Sequence, residues 1–188
     1  MASIVSVDTI QGLTSGQVTL PTGHKIKGTD TGSIVAPGQV VQTKYAKLYT
    51  VLDLTTSTFT DIGLSVNITP KYANSIIYVT ARLATFWVST TSVSWGGGHR
   101  IVRDSTVIDD TMGDAGGPLD QWWNLPVTAG AYKDYFMQAT KSTIDTPGVT
   151  TQLVYKIQSS ARTGSLKLNY GSPYYSPHSL LVVQEIAQ

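Results

Sequence analysis

The sequence predicts an all-β protein: an antiparallel β-sandwich of jelly-roll-like type preceded by an extended N-terminal β arm. Three observations predict it. Ser, Thr, Val and Gly dominate the chain, and Glu occurs once, at Glu185. Helices are normally built with Glu, Lys, Ala and Leu, whereas β-branched residues lose side-chain freedom there and suit pleated, half-buried surfaces. Almost no helix is therefore expected. Next, residues 58–84 (TFTDIGLSVNITPKYANSIIYVTARLA) carry a clear period of two, with Leu64, Val66 and Ile68 alternating with Ser65, Asn67 and Thr69. Finally, strand-like runs recur between turn signals along the rest of the chain, the spacing of a sandwich or barrel.

The elements follow in order. Residues 1–40 form an arm or attachment segment, and residues 41–188 form the sandwich. In the arm, SIVSVDTIQ, QVTLP and HKIKG read as short strands separated by glycines. They are too short to build a core alone, because even a two-stranded hairpin is marginal in water. Their apolar content exceeds what a solvated linker needs, which favours ordering by pairing with other chains. Residues 36–39 (APGQ) predict a bend. Residues 40–54 read as one long alternating stretch.

In residues 58–84, Pro70 ends the first strand and 71–75 form a polar turn. Ile77, Val79, Ala81 and Leu83 then share one face of a second strand, so the segment reads as a hairpin scaffold. RIVRD and STVI predict strands around a tight turn at Asp104 and Ser105. A Gly-, Asp- and Pro-rich loop follows over 111–119. AYKDYFMQAT, VTTQLVYKIQSS and SLKLNY predict further strands. SLLVVQEI, nearly all apolar, predicts a strand in the middle of a sheet.

Composition limits the function classes. Only 13% of residues are charged and the net charge is +1. No basic patch or stripe of the kind a nucleic-acid binder shows is visible. The chain has no cysteine, which removes disulfide staples and disfavours a small secreted disulfide scaffold. No apolar run approaches the roughly 18 residues of a membrane span. Residues 1–10 lack the charged and apolar regions of a cleaved signal. The expectation is a protein made in a cytoplasm, with no membrane insertion and no cofactor.

Candidate chemistry is sparse. Asp30, Thr31, Gly32 and Ser33 spell the DTGS of aspartic proteases. That chemistry needs two carboxylates sharing a proton, so one copy would require a dimer axis. The same residues are ordinary turn formers, and the turn reading is preferred. His24, His99 and His178 show no metal-ligand spacing, and no metal site is assigned. Asp109, Asp110 and Asp114 crowd one loop but lack the order of a calcium loop, and read as a solvated acidic loop. Gly96, Gly97 and Gly98 lack the Lys-Ser/Thr of a phosphate loop and predict a bend or close strand approach. No convergent acid, base and nucleophile set emerges, which argues against an enzyme and assigns no catalytic residue.

The aromatic residues are the main binding signal. Trp122 and Trp123 are adjacent, as are Tyr174 and Tyr175, and Trp87 and Trp95 bracket a Ser/Thr-rich loop. Exposed rings on sandwich loops stack on sugar rings, so these six residues are the candidate glycan-binding set. Burial in the core or at a subunit contact is the competing reading for each ring.

FTDIGLSVNITPKYANSIIYVTARL, HRIVRDSTVI with the later Gly113 and Asp114, VTTQLVYKIQ and SLLVVQEI together resemble a family of tailed-bacteriophage virion proteins, of the tail-fibre or structural type found in phages of marine and cyanobacterial hosts. SVDTIQG, GQVTLP and KGTDTGSIVAPGQVVQ resemble the attachment segments that precede such domains. The resemblance covers most of the chain, through strand sequences and not catalytic signatures. It implies a homotrimer with a β-sandwich at its tip, located in the virion and bound to other virion proteins through the arm. It implies no catalytic residues. The insert over 121–125 and the loop between Trp87 and Trp95 depart from the pattern, where host specificity is expected. Three functions stay open: a trimeric tail fibre or spike that attaches to the host surface, a capsid-decoration or tail-assembly protein without a host ligand, and a carbohydrate-binding module.

Overall fold

The computed structural model describes residues 20–28, 34–89, 96–109, 133–163, 165–171 and 177–188. The chain divides into two compact units, Met1–Ile34 and Val35–Gln188. In the first, the described residues 20–28 are exposed. They contain one turn, closed by the His24 N–H donating to the Pro21 carbonyl at 3.0 Å, with Gly23 at φ 88°. The expected strand HKIKG is absent: 24–28 have no strand partner and are solvent-exposed. The expected strand SIVSVDTIQ and most of QVTLP lie outside the described residues.

The second unit is an antiparallel β-sandwich with no helix among the described residues. Its strands are β1 (Val40–Leu48), β2 (Leu52–Leu54), β3 (Thr60–Ile68), β4 (Ile76–Ser89), β5 (Gly96–Arg103), β6 (Thr106–Val107), β7 (Lys133–Asp145), β8 (Leu153–Thr163), β9 (Ser165–Leu168) and β10 (Ser179–Ile186). One sheet runs β3-β8-β5-β6. The other is six-stranded and is built around β4, which is 14 residues long. One edge of β4 pairs with β7 from Ile77 to Ser89. Its other edge pairs first with β10, through Arg82, and then with β9, from Thr85. β1 lies outside β10 and β2 outside β9. The apolar run SLLVVQEI thus occupies an interior strand, as its composition predicts.

The alternation read from the sequence decides which side chains meet. Ile62, Leu64, Val66 and Ile68 of β3 are buried against Ile77, Val79, Ala81 and Leu83 of β4, with Tyr155 and Ile157 of β8 and Leu181 and Val183 of β10. Each fully buried side chain of this size contributes about 1.5–3 kcal/mol of transfer free energy, so period-two placement fixes the register strongly. Residues 58–84 are nevertheless not a hairpin. β3 and β4 belong to different sheets, and the turn over 71–75 carries the chain from one layer to the other. Both strands then turn apolar faces toward one core, which a flat hairpin would not do.

The stretch 40–54 also differs from its reading as one strand. It breaks after Leu48, and β2 pairs with β9 at the opposite end of the large sheet. The break is held by Asn169, whose side-chain amide donates to the Thr50 carbonyl at 3.0 Å. Residues 36–39 form the expected bend, with the Gln39 N–H donating to the Ala36 carbonyl at 3.0 Å and Gly38 at φ 81°. Asp104 turns the chain between β5 and β6 at φ 54°. Gly96 and Gly97 mark a register shift against β8.

Candidate functional site

The change of partner along β4 leaves a gap. β10 last pairs at Arg82 and β9 first pairs at Thr85, so Ala84 bonds to other groups. Its N–H donates to the Ser179 hydroxyl oxygen at 3.2 Å, and its carbonyl accepts the Asn169 N–H at 2.8 Å. Ser179 in turn donates to the Asn169 side-chain oxygen at 2.8 Å. Asn169 sits in the left-handed region at φ 58°, which its short amide tolerates. This buried network ties the start of β10, at Ser179, to Ala84 beside the gap.

The result is a recess of about 230 Å³ on the outer face of the large sheet, lined by Arg82, Ala84, Gln138, Pro177 and His178. Ala84 and Gln138 are cross-strand partners, so they share that face. The His178 ring is packed against Tyr49, ring centres 5.0 Å apart and tilted by 31°. Its Nε2 lies 3.5 Å from Arg82 Nη2. A guanidinium only donates, so Nε2 can only accept in this contact, which is made by the tautomer that carries its proton on Nδ1. Among the described residues Arg82 makes no ion pair.

The sequence pointed elsewhere. Trp95, Trp122, Trp123, Tyr174 and Tyr175 lie outside the described residues. The backbone of Trp87 is in β4, opposite Tyr135 on one side and Leu166 on the other, and its side chain is not described. Arg82, in contrast, comes from residues 58–84, which read as pure scaffold. The parity of β4 carries a signal for it, since Arg82 falls between the inward Ala81 and Leu83. Asp30–Ser33 also lie outside the described residues.

Two polar clusters inside the sandwich have structural roles. His99 is buried and its Nδ1 lies 2.8 Å from the Ser159 hydroxyl, with Nε2 3.4 Å from the Thr85 hydroxyl. A serine–histidine pair invites a hydrolytic reading, but among the described residues no carboxylate bonds to this ring, and both residues are buried. Burial, with Lys141 nearby, pushes the His99 pKa down to about 4, so the ring is neutral at pH 7. Asp109 corrects another expectation. It is not part of a solvated acidic loop but is buried, accepting the Ile101 N–H at 2.8 Å and pairing with Lys141 at 2.7 Å. β7 points Lys141 inward beside the end of the β5–β6 hairpin, and that cation draws the carboxylate in. Asp110 and Asp114 lie outside the described residues. Among the described residues no group of three or more His, Asp or Glu could hold a metal ion.

No family model matches the chain, and no curated protein does. Among solved structures it is similar to the structure of infectious bursal disease virus Gt strain, with a TM-score of 0.35 and 15% identity over 88% of this chain and 43% of that one. It is also similar to the crystal structure of the infectious bursal disease virus VP2 subviral particle, with a TM-score of 0.34 and 14% identity over 88% and 42%. The likeness is remote. The chain spans less than half the length of these solved chains, and scores this low establish no common fold or function.

Proposed function

We propose that this chain is a non-enzymatic structural component of a bacteriophage virion, a trimeric tail-fibre or spike protein that associates with its own copies and meets the host surface. The sequence resemblance described above supports the virion setting. The observation that carries the self-association is the outer face of the large sheet. Register places Val40, Ile186 and Ile76 in one row of that face, Tyr78 and Ile144 in the next, and Tyr45 and Val182 in a third. Tyr45 is 68% exposed, Ile144 61% and Val40 44%. Thr43 and Gln184 share the second row, and Thr80 and Ser142 the third, so the face mixes polar groups with exposed apolar ones of the kind that mark interaction sites.

The face also borders an open edge. Among the described residues β7 pairs only with β4, leaving the other side of a 13-residue strand unpaired. Long uncovered edges promote indiscriminate pairing unless a partner covers them. A second copy of the same chain covers edge and face together. The N-terminal segment, with Ile26 exposed by 65%, is the part available to neighbouring virion proteins. Trimer formation would then multiply weak surface sites into useful avidity.

Antibody labelling of purified particles, imaged by electron microscopy, tests the placement. Label at the tail tip is expected. Label over the head would make the chain a capsid decoration, and particles without label would remove the virion reading.

A further inference from the structure

We infer that the recess between β10 and β9 binds a carboxylate-bearing sugar unit through Arg82, Gln138 and His178. The inference names the ligand class for the attachment reading and rests on it only for the host surface as the source of the sugar.

The first argument is charge. Among the described residues that line the recess, Arg82 is the one cation and none is a carboxylate. Arg82 makes no ion pair among the described residues, so its planar fork is available for a bidentate contact. One guanidinium matches a carboxylate monoanion. A phosphate dianion would call for a second cation, and no Lys is among the described residues that line the recess.

The second argument is the mixture of groups. Gln138 offers both amide donors and an acceptor, the pattern that reads a hydroxyl pair. His178 keeps its Nδ1–H as a donor, while Tyr49 and the Ala84–Ser179–Asn169 network fix where the ring sits. Ala84 and Pro177 supply an apolar surface for the C–H side of a sugar ring. At about 230 Å³ the recess is smaller than the roughly 300–1,000 Å³ of a drug-sized pocket and suits a single ring. None of these residues belongs to the aromatic set singled out by the sequence.

Calorimetric or saturation-transfer titration of the full chain with D-glucuronate, D-glucose and inorganic phosphate tests this. Glucuronate is expected to bind more tightly than glucose or phosphate. Arg82→Gln should weaken glucuronate about tenfold or more and leave glucose unchanged, as expected for loss of charge-assisted bonds. Gln138→Ala should weaken both sugars. Arg82 and Gln138 are exposed, so both variants should melt as the parent does. Equal binding of glucuronate and glucose, tighter binding of phosphate, or an Arg82→Gln variant that binds glucuronate normally would overturn the inference. Light scattering on the same samples separates the two readings. A chain that forms trimers but does not bind glucuronate contradicts this inference alone. A monomer that binds glucuronate contradicts only the self-association.

Discussion

The Glu185 carboxylate accepts the Ser75 hydroxyl at 2.9 Å, joining interior strand β10 to the turn that carries the chain between the two sheets. The same oxygen accepts the backbone N–H groups of Lys71 at 2.7 Å and Tyr72 at 3.1 Å. The other oxygen accepts the Gln42 amide at 2.6 Å. A buried carboxylate is tolerable when its lone pairs are filled this way, and here it organises a turn that would otherwise bury unpaired N–H groups.

Glu185→Gln replaces the acceptor oxygen facing the Gln42 amide with an NH2 donor, so that bond is lost unless Gln42 turns its own oxygen inward and gives up its bond to the Thr69 carbonyl. The expected cost is about 1–3 kcal/mol, read as a lower denaturant midpoint. Glu185→Ala should cost more, and Ser75→Ala only about 1 kcal/mol. A Glu185→Gln variant as stable as the parent would show that the turn does not depend on this carboxylate.

His99 predicts an acid-sensitive fold. Its folded pKa lies near 4, lowered first by burial and then by Lys141, against 6.5 for an unperturbed histidine. The unfolded chain therefore binds this proton at a higher pH than the folded chain. The contribution is fully present above pH 6.5 and is lost as pH falls through about 4, on the order of 3 kcal/mol in all. His99→Asn should flatten the stability profile across that window. A parent profile already flat between those values would contradict the assignment.

Tyr155 predicts a spectroscopic silence. Its hydroxyl donates to Asp145 at 2.6 Å, and the same carboxylate holds Arg103 through two contacts at 2.6 and 2.8 Å. Burial first, and the Asp145 hydrogen bond second, push the phenol's ionisation well above its ordinary range. The native chain should keep Tyr155 protonated at a pH of about 11, where ordinary tyrosines ionise. Tyr155→Phe should then leave the tyrosinate absorbance of the folded protein unchanged while costing about 1–2 kcal/mol of stability. An absorbance drop worth one tyrosine would show that the phenol titrates normally.

The sandwich was legible because alternation is a local signal. Leu64, Val66 and Ile68 declare their face without reference to any distant residue. Glu185 was legible by the same rule, since it shares parity with Leu181 and Val183, but a carboxylate in an apolar run was not read as buried. The recess was not legible. Tyr49, Arg82, Gln138 and His178 meet only because β4 exchanges one partner strand for another, and pairing between distant strands leaves no local trace. For the same reason 40–54 read as one strand, although Asn169 holds its break from far along the chain.

Self-association is the claim on which the account turns, and multi-angle light scattering of the full chain tests it most directly. A stable trimer is expected, with Tyr45→Glu combined with Ile144→Lys shifting it to a folded monomer. These two exposed side chains leave the core untouched. A parent chain that stays monomeric with its N-terminal segment intact, or a double variant that remains trimeric, would contradict the proposed use of this face.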